Sequence, residues 1–275
     1  MKNTVCCFGD SLTVGWQLKP YTEILEELIT DGKKVVNMGI GAEKSYQIGY
    51  RQGGIPVYVK PFTIPADKTE VEILMYDNLG NDVNTVGTQG PNGINPVTIA
   101  GVVGEYRLDQ VEHKCYFTRL EVGEEINVSR PTRVFFDGNK YKDTTLVLWC
   151  GSNNRPDMTE IENVIRDQRN MIAHNGNDRY IIIGLTSLTY IPDIINVNRR
   201  LAREYGEHFI DLLSYMREYS LEDSGITPTT EDLKCIEAGD VPASLRSDTI
   251  HGNQYFYNVV AKCVYNKGVE LGYWK

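Results

Sequence analysis

The sequence predicts an α/β chain: a parallel sheet covered by helices on both sides, interrupted by an inserted antiparallel β module. Three observations predict it. Short apolar runs alternate with amphipathic helical stretches near both ends of the chain, the pattern of repeated βα units. One of these runs, Tyr180 to Leu185, is almost wholly apolar, as in a strand buried on both faces. Between the two ends, roughly Tyr50 to Lys142 is rich in Val, Thr, Tyr, Gly and Pro, alternates with period two and carries no helical stripe. The expected division is a core of residues 1–49 and 144–275 around an insert of residues 50–143.

Each element follows from its own pattern. Thr4 to Phe8 is a short apolar run that ends at Gly9-Asp10-Ser11. From about Pro20 a helix places Ile24, Leu25, Leu28 and Ile29 on one face, and Asp31-Gly32 ends it. Lys34 to Met38 reads as the second strand. The pattern resumes with a strand over Thr144 to Cys150. A helix then runs from about Met158, with Ile161, Val164, Ile165, Gln168 and Ile172 on one stripe. Tyr180 to Leu185 is the next strand, Asp193 to Tyr205 a helix, His208 to Leu213 the last strand and Gln254 to about Lys267 a terminal helix. Ser220 to Arg246 reads as a long polar connection, a kind of segment that is often functional in a compact domain. In the insert, Val57 to Lys60 and Val71 to Tyr76 alternate as strands, punctuated by turns at Asn78-Leu79-Gly80-Asn81, Gly90-Pro91-Asn92-Gly93 and Asp137-Gly138-Asn139.

Composition excludes several function classes. Of 275 residues, 28 are Lys or Arg and 37 Asp or Glu, a net charge of −9, which argues against a partner bound by phosphate neutralisation. No run approaches the roughly 18 apolar residues of a membrane span. The first ten residues hold one Lys and a short apolar stretch, unlike a secretory leader, so a cytoplasmic address is the default expectation. Six cysteines without C-x-x-C spacing and four histidines favour reduced structural thiols over a metal site. A zinc site is therefore not expected.

Four polar turns carry the chemistry, each at the end of a predicted strand or the start of the last helix. Gly9-Asp10-Ser11-Leu12 puts a serine at the carboxyl end of a parallel strand, where ligands bind in open α/β sheets. Asn37-Met38-Gly39-Ile40-Gly41-Ala42-Glu43 follows the second strand. It is no dinucleotide loop, since Lys44 stands where the third glycine belongs. Gly151-Ser152-Asn153-Asn154 follows the third strand and offers an amide that can donate to an oxyanion. Asp248-Thr249-Ile250-His251 pairs a carboxylate with an imidazole, the arrangement that fixes a general base. Asp77 to Asp82 has the look of a calcium loop, but Leu79 occupies a ligand position, so a hairpin turn is expected.

In this order the blocks resemble the SGNH (GDSL-type) hydrolases, esterases and acylhydrolases. The resemblance covers about the first 49 residues and the last 130, not the insert. It implies a flavodoxin-like doubly wound sheet and acyl transfer without metal or cofactor. It further implies Ser11 as nucleophile, His251 as base and Asp248 as its orienter, with Ser11, Ala42, beside Gly41, and Asn153 forming the oxyanion hole. Asp10 and Asn154 are expected to contact substrate, although Asn154 replaces the family's usual Asp.

The expected substrate is a small-molecule or carbohydrate ester with a small, acetyl-like acyl group. The loop Gly239 to Ser247 is similar to segments of bacterial and phage members, which points to a surface polysaccharide. The competing reading is a vestigial core whose insert binds a surface glycan or a protein. Neither nucleic acid nor a membrane span is expected, and the sequence is compatible with an oligomer.

Overall fold

The computed structural model describes residues 3–15 and 17–275. The chain alternates β1 (Thr4–Gly9), α1 (Ser11–Val14), α2 (Tyr21–Leu28), β2 (Lys34–Gly39) and α3 (Ser45–Gln52) before it enters the insert. It returns with β3 (Thr145–Trp149), α4 (Ile161–Asn175), β4 (Tyr180–Ile183), α5 (Ile194–Tyr205) and β5 (Phe209–Ile210). The helices α6 (Leu212–Glu218), α7 (Ser220–Asp223), α8 (Thr230–Glu237) and α9 (Gln254–Glu270) complete it. Among the described residues the core sheet runs β5-β4-β3-β1-β2, and every pairing is parallel. The register puts Gly9 opposite both Gly39 and Trp149, so β1, β2 and β3 end in one row. Their three following loops therefore open on the same edge.

Burial explains why these strands lie inside. All five residues of β3 are buried, and β1 is buried from Val5 to Gly9. Helices close both faces, with Leu25 of α2, Val164 and Ile165 of α4, Leu201 of α5 and Val260 of α9 joined to the strands in one cluster. Helix α9 starts where the Asn253 side chain accepts from the Tyr255 and Phe256 N–H groups, satisfying donors a helix start leaves open. Gly9 is required by space: a Cβ there would stand 2.5 Å from the Trp149 carbonyl and 2.1 Å from Thr13 Oγ1. No helix among the described residues is long and apolar enough to cross a membrane.

The insert is antiparallel. Among the described residues, seven strands pair in the order Val71–Ile73, Lys114–Arg119, Val102–Asp109, Val97–Ile99, Thr132–Phe135, Val57–Val59 and Met75–Asp77. The two outermost strands are neighbours in sequence, separated by the exposed Leu74, so the sheet curls until its edges meet there. Phe62–Ile64 and Ile126–Val128 form a separate pair.

Several expectations are corrected. The run Val71 to Tyr76 is two strands on opposite edges, because Leu74 breaks the ladder. Helix α3, absent from the sequence reading, crosses the expected boundary at residue 50. The last strand is only Phe209–Ile210, because Asp211 accepts from the Ser214 N–H and starts α6. The polar connection of residues 220–246 contains α7 and α8; Thr229 and Asp232 cap α8 reciprocally.

Candidate active site

Three strand ends and the turn before α9 supply the site. Asp10 starts α1 as its N-cap: its Oδ1 accepts from the Leu12 N–H at 3.0 Å, which turns the chain sharply and presents Ser11. From the far end of the sequence, His251 reaches back across 240 positions, with Nε2 2.9 Å from Ser11 Oγ. Its Nδ1 lies 2.8 Å from Asp248 Oδ2. Asp248 is itself held, since Oδ1 accepts from the Ile250 and His251 N–H groups, each at 2.7 Å. Burial alone would raise the Asp248 carboxyl, but the backbone N–H and ring of His251 outweigh it and hold the group below its usual range. It stays ionised, and an ionised acceptor at Nδ1 fixes the imidazole with Nε2 facing the serine.

The opposite wall is made by Ala42 and Asn153. Ala42 has φ +59°, a left-handed conformation that costs a residue bearing a Cβ about 1 kcal/mol. Neither the Ser11 N–H nor the Ala42 N–H has an acceptor among the described residues. Asn153 Nδ2 donates to the Glu43 carbonyl at 3.1 Å and to Asp10 Oδ2 at 3.3 Å. The second bond is long, and it is the one an incoming oxyanion can replace.

Asp10 and Asn154 do not line this cleft. Asp10 is only 1% exposed, beneath the serine, and burial pushes its carboxyl up to about 7 against the Leu12 N–H and nearby His251, which favour the charge. Asn154 turns away: its Oδ1 accepts from the Ser45 N–H at 2.8 Å and its Nδ2 donates to Ser45 Oγ at 2.9 Å. Both groups position the loops rather than face a ligand.

Other contributors were not read from the sequence. The cleft, about 140 Å³, is lined by Gln89, Tyr190 and Ile250 together with Ser11, Ala42, Asn153 and His251. Gln89 comes from the insert. A Cβ at Gly41 would stand 2.6 Å from Gln89 Oε1, so Gly41 makes room for it. Nothing local marks Gln89, since its approach is purely tertiary; Ile250, by contrast, sits within the Asp-x-x-His block.

Glu43, next to Ala42, is fully buried with Arg51 of α3, at 2.7 Å between Oε2 and both Nε and a terminal guanidinium nitrogen. Glu43 also accepts from the Gly87 N–H at 3.1 Å, while Arg51 donates to the Asn92 carbonyl at 2.9 Å. One ion pair therefore ties the Ala42 loop to α3 and to the insert.

No family model matches the sequence, and no curated protein matches it. Among solved structures, the chain is similar to a member of the lipolytic protein G-D-S-L family from Veillonella parvula DSM 2008. The TM-score is 0.46 and the identity 13%, over 98% of this chain and 97% of that one. At that level of likeness, the geometry of the site carries the functional reading.

Proposed function

We propose that the chain is a serine-dependent carboxylic ester hydrolase of the SGNH type. The observation that carries this reading is the run Asp248–His251–Ser11, closed at 2.8 and 2.9 Å by residues from opposite ends of the sequence. Its supporting frame is the core sheet, whose order, second-first-third-fourth-fifth, is that of flavodoxin-like doubly wound sheets.

In this mechanism Ser11 Oγ attacks the ester carbonyl carbon as His251 Nε2 takes its proton. The tetrahedral oxyanion accepts from the Ser11 and Ala42 N–H groups, which have no acceptor among the described residues, and from Asn153 Nδ2, which gives up its long bond to Asp10. Collapse breaks the bond to the alcohol, which leaves with the proton from His251. Water then attacks the acyl-serine, His251 takes its proton, and collapse returns that proton to Ser11 and releases the acid. Asp248 stabilises the imidazolium at each stage.

A cleft of about 140 Å³ supports a small acyl group, acetyl-like in size. Gln89 and Tyr190, two lining residues that can hydrogen-bond, suit a polyhydroxylated alcohol half, as in an acetylated carbohydrate. The test is hydrolysis of p-nitrophenyl acetate and butyrate by the wild type beside Ser11→Ala. Expected is turnover of acetate above butyrate that disappears in the variant with its fold intact; equal turnover in Ser11→Ala contradicts the assignment.

A further inference from the structure

A second cavity, about 360 Å³, opens where the turn of residues 77–82 crosses α3 and α4. That volume lies in the range of small-molecule pockets. Tyr46, Tyr50 and Ile55 form its floor, and the Tyr46 and Tyr50 rings meet edge-on at 5.7 Å. We propose that it binds one neutral sugar unit, at a site separate from the cleft of Ser11.

The chemistry of the walls selects this ligand class. Two carboxylates at the floor are already occupied. Asp77 accepts from the Tyr50 hydroxyl at 2.9 Å, from the Leu79 and Asn81 N–H groups at 2.8 and 2.9 Å, and from Asn81 Nδ2 at 2.9 Å. Asp167 accepts from Ser45 Oγ at 2.6 Å and from the Arg166 guanidinium at 3.1 and 3.3 Å. These bonds make the floor rigid and leave its charge little available to a cation. At the rim, by contrast, the side-chain amides of Asn78 and Asn170 and the carboxylate of Asp82 have no hydrogen-bonding side chain or backbone partner among the described residues.

Two planar amides offer paired donors and acceptors, which vicinal hydroxyls match. Leu79, 66% exposed, offers an apolar contact for ring C–H groups. Three carboxylates against one arginine disfavour phosphate or carboxylate ligands, and the polar rim disfavours a purely apolar one.

The site is also linked to the loop of Asn153. Asp167 holds Ser45, Ser45 holds Asn154, and Asn154 is the next residue after Asn153. A sugar polymer lying across the molecule could thus be gripped at one unit and deacylated at another, an extension that rests on the proposed esterase reading. The binding site itself does not depend on it.

The experiment titrates the full-length wild type with N-acetylglucosamine, chitobiose, cellobiose, xylobiose and mannobiose to about 10 mM, followed by amide NMR. Expected is a saturable shift of the Asn78 and Asn170 signals with at least one probe. The double variant Asn78→Ala/Asn170→Ala, changed only at exposed positions, should bind that probe about tenfold more weakly and hydrolyse p-nitrophenyl acetate as the wild type does. No saturable shift with any of the five, or undiminished binding in the double variant, overturns the proposal. Inorganic phosphate saturating the same signals overturns it as well. Loss of esterase activity in Ser11→Ala is read separately and bears only on the cleft.

Discussion

At the scale of single residues, Asn153 lines the cleft and Asp10 is buried next to it, joined by one hydrogen bond. Asn153 donates its amide to the Glu43 carbonyl and to Asp10, and the proposed mechanism has an oxyanion replace the second bond. Removal of such a donor typically slows turnover about 10²–10³-fold, so Asn153→Ala should lower kcat by that order and leave KM close to wild type. Steady-state kinetics on p-nitrophenyl acetate decides it; an unchanged kcat removes Asn153 from the oxyanion hole. Asp10 makes the fold sensitive to pH. The unfolded chain releases this proton near 3.8, whereas the buried group keeps it up to about 7. Its contribution to stability is full below pH 3.8 and is lost as the pH rises to about 7, by roughly 4 kcal/mol at most. Urea midpoints for wild type and Asp10→Asn, compared from pH 4 to pH 7, should therefore move in the variant's favour. A difference that stays flat across this window contradicts the buried neutral carboxyl.

Among the elements, α3 connects the core to the insert. Its sequence, Ser45 to Gln52, has no clean apolar stripe, because its buried residues include Gln47, Arg51 and Gln52. Periodicity therefore could not reveal it. What holds it is polar: the Glu43–Arg51 pair, the Asn139 amide on the Arg51 carbonyl, and Asn154 with Asp167 on Ser45. Removing one partner of a buried ion pair leaves a charge stranded, which typically costs about 3–5 kcal/mol. Arg51→Met should lose stability of that order by chemical denaturation, and Glu43→Gln/Arg51→Met should recover part of it. If the single variant is as stable as the wild type, the pair does not hold the Ala42 loop in place.

On the scale of the whole molecule, the strands and helices of the core share one apolar cluster, and the insert has a second that takes in Ile40 from just after β2. One apolar cluster contains Ile40, Tyr50 and Ile55 along with Val86, Phe117 and Phe136 of the insert. Val57 pairs with Val134, so the ends of segment 57–135 lie side by side and a short Gly/Ser linker can replace it. Such a deletion uncovers Ile40, Tyr50 and Ile55 and removes Gln89 from the cleft. Its expected outcome is a lower Tm with binding of a hydrophobic dye; cooperative unfolding at the wild-type Tm would show instead that the core is self-sufficient.

The sequence by itself determined whatever is written in contiguous residues. The βα alternation, the largely apolar β3 and β4, and the turns Gly9 to Leu12 and Asp248 to His251 depend on short-range periodicity and local hydrogen bonds, which survive without knowledge of the rest of the chain. The turn at Asp77 is legible for the same reason, as Asp77 closes it through the Leu79 and Asn81 N–H groups. Only the tertiary structure decided the register that sets Gly9 opposite Gly39 and Trp149, that Val71 to Asp77 splits across the two edges of one sheet, and that Asn154 turns to Ser45 rather than to the cleft. It alone brought Gln89 beside Ala42, joined Glu43 to Arg51 in the dark of the interior, and left a sugar-sized cavity over α3 and α4. The reason is physical: burial and long-range pairing are properties of the packed chain, and side chains far apart in sequence carry no local mark of the partners that packing will bring them.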